Sequence, residues 1–248
     1  MFSDAIKQIG EAGINLFKAF WYIARGKINW EEVARQIVKT GFGSLFIVAI
    51  TSSFIGLVLS LQLAIQLRHY GAEHYVGALI STTAIKELGP ILAAVVVAGR
   101  VGTAVSAEIG SMRSSEQIDA LVVLGIDPVK YLVVPRLLSS PIITPLLSSI
   151  STFLIIIAGM FLAKIVVDLN YDLYLDTVRV VNTTRDVFVM LLKACIFGIT
   201  IAIVATTAGL QVKGGAEAVG DATTKTVVWS YILIFIFSYF LSSYFFRV

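Results

Sequence analysis

Four stretches of this chain carry no charged side chain over a length that can cross a bilayer, and nothing else constrains its fold as strongly. They are Thr40–Leu67 (28 residues), Leu137–Ala163 (27), Ala194–Val212 (19) and Thr226–Phe246 (21). A helix rising 1.5 Å per residue needs about 20 residues to cross roughly 30 Å of hydrocarbon. A fifth stretch, His74–Gly99, is apolar except for Lys86 and Glu87 near its middle. Five spans are therefore expected, at about 42–67, 75–100, 136–163, 187–208 and 226–246. Composition agrees: 57% of the 248 residues are hydrophobic and 14% are charged, against about 25% charged in a soluble domain. A soluble enzyme and a disordered chain are both excluded. The expected fold class is an all-α integral membrane protein.

Lys and Arg orient the spans. With the N-terminus inside, the cytoplasmic segments hold 12 of these residues and the external ones 5, so the positive-inside rule places the N-terminus in the cytoplasm and the C-terminus outside. Residues 5–24 read as an interfacial amphipathic helix. Ile6, Ile9, Gly13, Leu16, Phe17, Phe20 and Trp21 fall on one face, and Lys7, Gln8, Glu11, Asn15 and Lys18 on the other. Trp30–Lys39 reads as a second short helix leading into the first span. The chain thus divides into an N-terminal interfacial part, 1–39, and a transmembrane part, 40–248.

Several chemistries find no support. A net charge of +3 with no basic block gives nucleic acid no purchase. One cysteine, Cys195, allows neither an internal disulfide nor a cysteine-rich metal site. No G-x-x-x-x-G-K-[ST] phosphate loop, H-E-x-x-H or G-x-S-x-G occurs. The chain is not expected to be an enzyme, to hydrolyse ATP or to hold a metal or cofactor. His69 and His74 read as interfacial residues, and Asp168, Asp172 and Asp176 as a solvated face without the glycine of a calcium loop. No cleavable leader is expected at the N-terminus.

The loop between the second and third spans is the most informative. Ser114 or Ser115 is placed to cap a short helix, Gly125 to stop it, and Asp127-Pro128 to begin the next segment. Ile118, Leu121 and Val122 make an apolar face, and Ser115, Glu116 and Asp119 a polar one. Such a helix either docks into a separate motor subunit or lies on the bilayer.

Taken in order, Lys86-Glu87-Leu88-Gly89-Pro90, Ala98-Gly99-Arg100-Val101-Gly102, Ala107-Glu108-Ile109-Gly110-Ser111-Met112-Arg113, Glu116-Gln117-Ile118-Asp119-Ala120-Leu121, Leu124-Gly125-Ile126-Asp127-Pro128 and Val134-Pro135-Arg136 form a family pattern. Gly214-Gly215-Ala216-Glu217-Ala218-Val219-Gly220 and Ala222-Thr223-Thr224 extend it. The chain resembles the MlaE (YrbE-like) permeases of Mce-associated ABC transporters. That resemblance implies a homodimer in a bacterial inner membrane, with a separate cytoplasmic ABC ATPase that binds the ATP. It also implies a periplasmic Mce-domain partner, a STAS-domain regulator in some assemblies, and phospholipids or related lipids such as sterols as cargo. The family's coupling helix falls at about 108–124, with Glu108, Arg113, Glu116, Asp119 and Leu121 as candidate ATPase contacts.

For the lipid path, Lys86 and Glu87 are the strongest polar candidates, because a charge near the bilayer centre costs roughly 2.5–3.5 kcal/mol on insertion scales. Pro90 removes an N–H and can leave a carbonyl near Lys86 unpaired. Lys193, inside the fourth span, can meet Glu87 or a lipid phosphate. Equally, each charge can be a structural tie or can snorkel to water. Leu57, Leu61 and Ile65, with Gln62, are the candidate cavity wall. Gly99, Gly102, Ser106 and Gly110 read as close helix packing. The competing function is an ion-coupled secondary transporter of a hydrophobic substrate with Glu87 as its ion site, although no inverted repeat is recognisable.

Overall fold

The computed structural model describes residues 2–26 and 28–246, with backbone alone for 2–9. Among the described residues every regular element is helical. In chain order they are α1 (Phe2–Ala24), α2 (Trp30–His69), α3 (Glu73–Ser114), α4 (Gln117–Val123), α5 (Val129–Val167), α6 (Tyr171–Val181), α7 (Thr184–Leu210) and α8 (Ala216–Phe245). Five of them, α2, α3, α5, α7 and α8, are long and apolar enough to cross a membrane. The chain is an all-α, multi-pass membrane protein.

The spans are longer than their uncharged cores. α2 has 40 residues and α3 has 42, or about 60 Å each, twice the hydrocarbon thickness. This corrects the reading of Trp30–Lys39 as a separate helix: Gly41 and Gly43 at the junction stay helical, no proline intervenes, and Glu31 and Glu32 favour a helix start at Trp30. α3 stays helical past Pro90 by widening. Its segments Ala84–Leu88 and Ala98–Gly102 are π turns, and Gly89 N–H bonds the Ala84 carbonyl.

Two compact units divide the chain. The first contains the described residues of Met1–Ser44, Val95–Ile143 and Cys195–Ile236, and the second those of Leu45–Ala94, Thr144–Ala194 and Phe237–Val248. In the first, Ala19 of α1 packs with Val129, Val133 and Leu137 of α5 and Ala202 and Ile203 of α7. In the second, Ala64, Val76, Ile80, Ile155, Ala163 and Tyr174 form the core. Backbones approach closely there. A Cβ on Gly56 of α2 would lie 2.5 Å from the Ile155 carbonyl oxygen of α5, and Ser60 Oγ donates to the Gly159 carbonyl at 2.7 Å.

α1 has more than one face in use. Phe17, Phe20 and Trp21 are exposed, while Ala12, Leu16, Ala19 and Ile23 pack on the first unit. Glu11 accepts from Gln211 Nε2 at 2.5 Å, and Tyr22 Oη donates to Asp127 Oδ2 at 2.7 Å. The expected faces of Ile6, Lys7, Gln8 and Ile9 lie outside the described residues. α4 also departs from expectation. Neither Ser114 nor Ser115 caps it: its N-cap is Glu116, left-handed at φ 61°, with no side-chain cap bond. Arg113 ties the start of α4 through Asp119 instead. Gly125 (φ +77°) does end the helix, and Asp127 Oδ1 accepts from Val129 N–H to start α5. The segment between the third and fourth spans carries α6, capped by Asn170 and seated by the buried ring of Tyr174. Burial raises the Tyr174 pKa. Beside it Asp168 pairs with Lys164 at 2.6 Å, which lowers its carboxyl pKa through that hydrogen bond.

Candidate functional site, a charged cluster among apolar helices

The π turn of α3 prepares the site. Proline 90 has no N–H to give the carbonyl four residues back, that of Lys86. Lys193 Nζ of α7 takes its place at 2.7 Å. The same ammonium meets Glu87 Oε2 at 3.0 Å and Ser242 Oγ of α8 at 2.8 Å. Lys193 is 0% exposed, and the Glu87 side chain is 36% exposed. Ser238 Oγ donates to Glu87 Oε2 at 2.8 Å, and Ser242 also bonds Glu87 Oε1. Three helices therefore converge on one carboxylate. Gly89 lets α5 approach α3 beside it, because a Cβ there would overlap Thr152 Oγ1 of α5.

Lys86 points elsewhere, as adjacent helical residues do. It lies 3.7 Å from Asp186 at the start of α7, and its ammonium sits 4.7 Å from the Phe246 ring centre. Both Lys86 and Glu87 are partly exposed while their partners are buried. The cluster can thus offer a cation and an anion to one polar ligand. Asp186, Ser238 and Ser242 were not singled out in the sequence. Two signals existed: 238 and 242 share a helix face at i, i+4, and 186 and 193 share one at i, i+7.

Other predicted residues lie apart from this cluster. Leu61, Gln62 and Ile65 are exposed and Leu57 is half-buried, in a stripe along α2. Gly102 and Gly110 lie where a Cβ would come within 3.3 Å of Thr226 and 3.0 Å of Val212. At Gly99 it would lie 3.2 Å from Tyr231 Oη, and Ser106 is fully buried.

In the first unit a second cluster forms around Glu108. Arg136 Nη2 meets Glu108 Oε1 at 2.8 Å and Lys39 Nζ meets Oε2 at 3.2 Å, while Arg136 Nη1 donates to the Leu132 carbonyl at 2.8 Å. Glu108 therefore has both oxygens committed within the chain. On α4, Ile118 is buried, Leu121 is half-buried, and Val122, Val123 and Leu124 are exposed, Val123 at 87%. Among the described residues no group of acids, histidines and cysteine could hold a metal ion.

Five apolar spans, three of which meet in a polar cluster, define a multi-pass membrane protein. The chain belongs to the MlaE permease family, whose model matches residues 33–244. A probable ABC transporter permease protein of Synechocystis sp. is 40% identical over 91% of this chain and 86% of its own length. Another of that description from Rickettsia conorii is 38% identical over 98% of this chain and 93% of its own. The chloroplastic protein trigalactosyldiacylglycerol 1 of Arabidopsis thaliana is 33% identical over 91% of this chain and 64% of its own length.

Proposed function

We propose that this ABC transporter permease moves phospholipids or related diacyl lipids, as a homodimer in a bacterial inner membrane with its N-terminus in the cytoplasm and its C-terminus in the periplasm. The observation that carries the reading is the pair Lys86 and Glu87, partly open to a ligand yet anchored by Asp186 and Lys193 among apolar helices. An amphipathic molecule suits both the charges and their apolar surroundings. The galactolipid in the name of the Arabidopsis relative supports a lipid cargo.

Energy comes from a separate ATPase, since the sequence has no phosphate loop. Its docking point is α4, where Val122, Val123 and Leu124 offer an apolar knob beside the Arg113–Asp119 pair. Burying such an exposed apolar surface on a partner favours association. The remaining partners implied by the family are a periplasmic Mce-domain protein and a STAS-domain regulator.

Gentle purification of the tagged chain from its host, with mass spectrometry of bound proteins and lipids, tests the proposal. Recovery of an ATPase and of diacyl lipid is expected, and Val123→Asp is expected to remove the ATPase while the lipid stays. Transport by the chain alone, driven by a pH gradient and abolished by Glu87→Gln, would instead identify an ion-coupled transporter.

A further inference from the structure

In the first unit a cleft of about 240 Å³ opens between α2 and α3, lined by Gln36, Lys39, Thr40, Arg100, Ala104 and Glu108. Its charges do not balance. Glu108 is already shared between Arg136 and Lys39. Glu32, one turn before Gln36, accepts from Gln36 Nε2 at 2.8 Å and lies 3.6 Å from Arg35. Among the described residues, no hydrogen bond or ion pair engages the Arg100 guanidinium, which is exposed. The guanidinium lies flat against α2 where residue 43 is glycine, and any Cβ at that position would overlap its nitrogens and carbon.

Depth narrows the ligand. Lys39 is the last charged residue before the uncharged Thr40–Leu67 stretch, and Arg100 is the first after Leu88–Gly99. Both helices therefore pass from polar to apolar at the cleft, the level at which lipid headgroups meet acyl chains. Beside Lys39 on α2, Val38 and Phe42 are exposed at 58% and 77%. A planar guanidinium with free donors, a neighbouring ammonium, an amide and a hydroxyl match a phosphate, which takes two parallel N–H bonds from arginine.

We propose that the Arg100 cleft is an anion site that holds a phosphate group, separate from the Glu87–Lys193 cluster. The phosphate comes from a phospholipid headgroup, with the acyl chains against Val38 and Phe42, or from a free phosphate ion. The lipid source rests on the lipid reading above; the anion site itself does not.

Ala104 is exposed and lines the cleft, so it can carry a photocrosslinker. The full chain with benzoylphenylalanine at 104 is placed in phosphatidylcholine vesicles containing phosphatidylglycerol, irradiated, and its adducts are weighed. Binding of inorganic phosphate to the same protein is followed in parallel by calorimetry. For a lipid headgroup, a phosphatidylglycerol adduct forms and falls about tenfold in Arg100→Gln, the loss of a charge-assisted pair. Gly43→Ala, which displaces the guanidinium and leaves the charge unchanged, lowers it similarly. Arg100→Lys gives an intermediate yield and covers the case in which the glutamine variant does not fold.

For free phosphate, the lipid adduct is insensitive to Arg100, and phosphate binding is lost in Arg100→Gln and Gly43→Ala. Adduct yield and phosphate binding both unchanged in these variants, or both absent from the parent, overturn the proposal. Failure of lipid transport in the reconstituted assembly, with the Arg100-dependent adduct intact, would refute transport and leave the site.

Discussion

Glu87 and Glu108 both lie on α3, and each meets a buried cation from another helix that also holds a backbone carbonyl. Their second partners differ. Glu87 is completed by Ser238 and Ser242, neutral hydroxyls that leave one cation to one anion. Glu108 is completed by Lys39, a second and largely exposed cation at the edge of a cleft. The first cluster is a neutral knot tied inside apolar helices. The second is a charged edge with positive character to spare. The contrast shows how one residue type in one helix can belong to a charge-balanced cluster at one point and to the edge of a cationic cleft at another.

The contrast can be broken by removing each carboxylate in turn. Glu87→Gln strands the fully buried Lys193 ammonium with a carbonyl and a hydroxyl, at a cost of about 3 kcal/mol. Glu108→Gln also weakens the hold on a buried cation, Arg136, but returns the exposed Lys39 to water, for about 2 kcal/mol. Thermal unfolding midpoints of the detergent-solubilised variants check this; equal losses would mean that the second partner makes no difference. A packing test is expected to be somewhat weaker than the first. Gly89→Ala drives a methyl into Thr152 Oγ1 and costs about 2 kcal/mol, and the double variant Gly89→Ala with Thr152→Ala recovers most of it. No recovery would show that Thr152 does not set the α3–α5 spacing.

The smallest effect concerns α1. The hydrogen bond to Asp127, aided by partial burial, raises the Tyr22 pKa. The attachment is thus fully present below the unfolded tyrosine value, near pH 10, and is lost as pH rises through the higher folded one. Trp21 fluorescence over that alkaline range follows the release of α1. Tyr22→Phe abolishes this pH dependence; a transition that persists in the variant would assign the attachment to other contacts.

Span number and type were legible because long uncharged stretches have a single physical solution in lipid. Pro90 was legible as a defect beside Lys86, and Lys193 as a partner for Glu87. The ends of α2 and α3 were not, since charged residues continue a helix beyond the membrane without any break in pattern. Asp186, Ser238 and Ser242 were missed because short polar side chains in apolar helices usually bond their own backbone, as Thr51 and Ser53 do here. The Arg100 cleft was out of reach because it depends on the absence of a Cβ at Gly43, on a different helix.

The bond from Lys193 to the Lys86 carbonyl joins residues 107 positions apart. At about 5–20 residues per second, a ribosome needs roughly 5–20 s to make the chain between them. For that interval the second span has left the tunnel with a freed carbonyl and an unmatched carboxylate, both unwelcome in hydrocarbon. Lys193 can satisfy them only once the fourth span emerges, and the serines of the fifth follow later still.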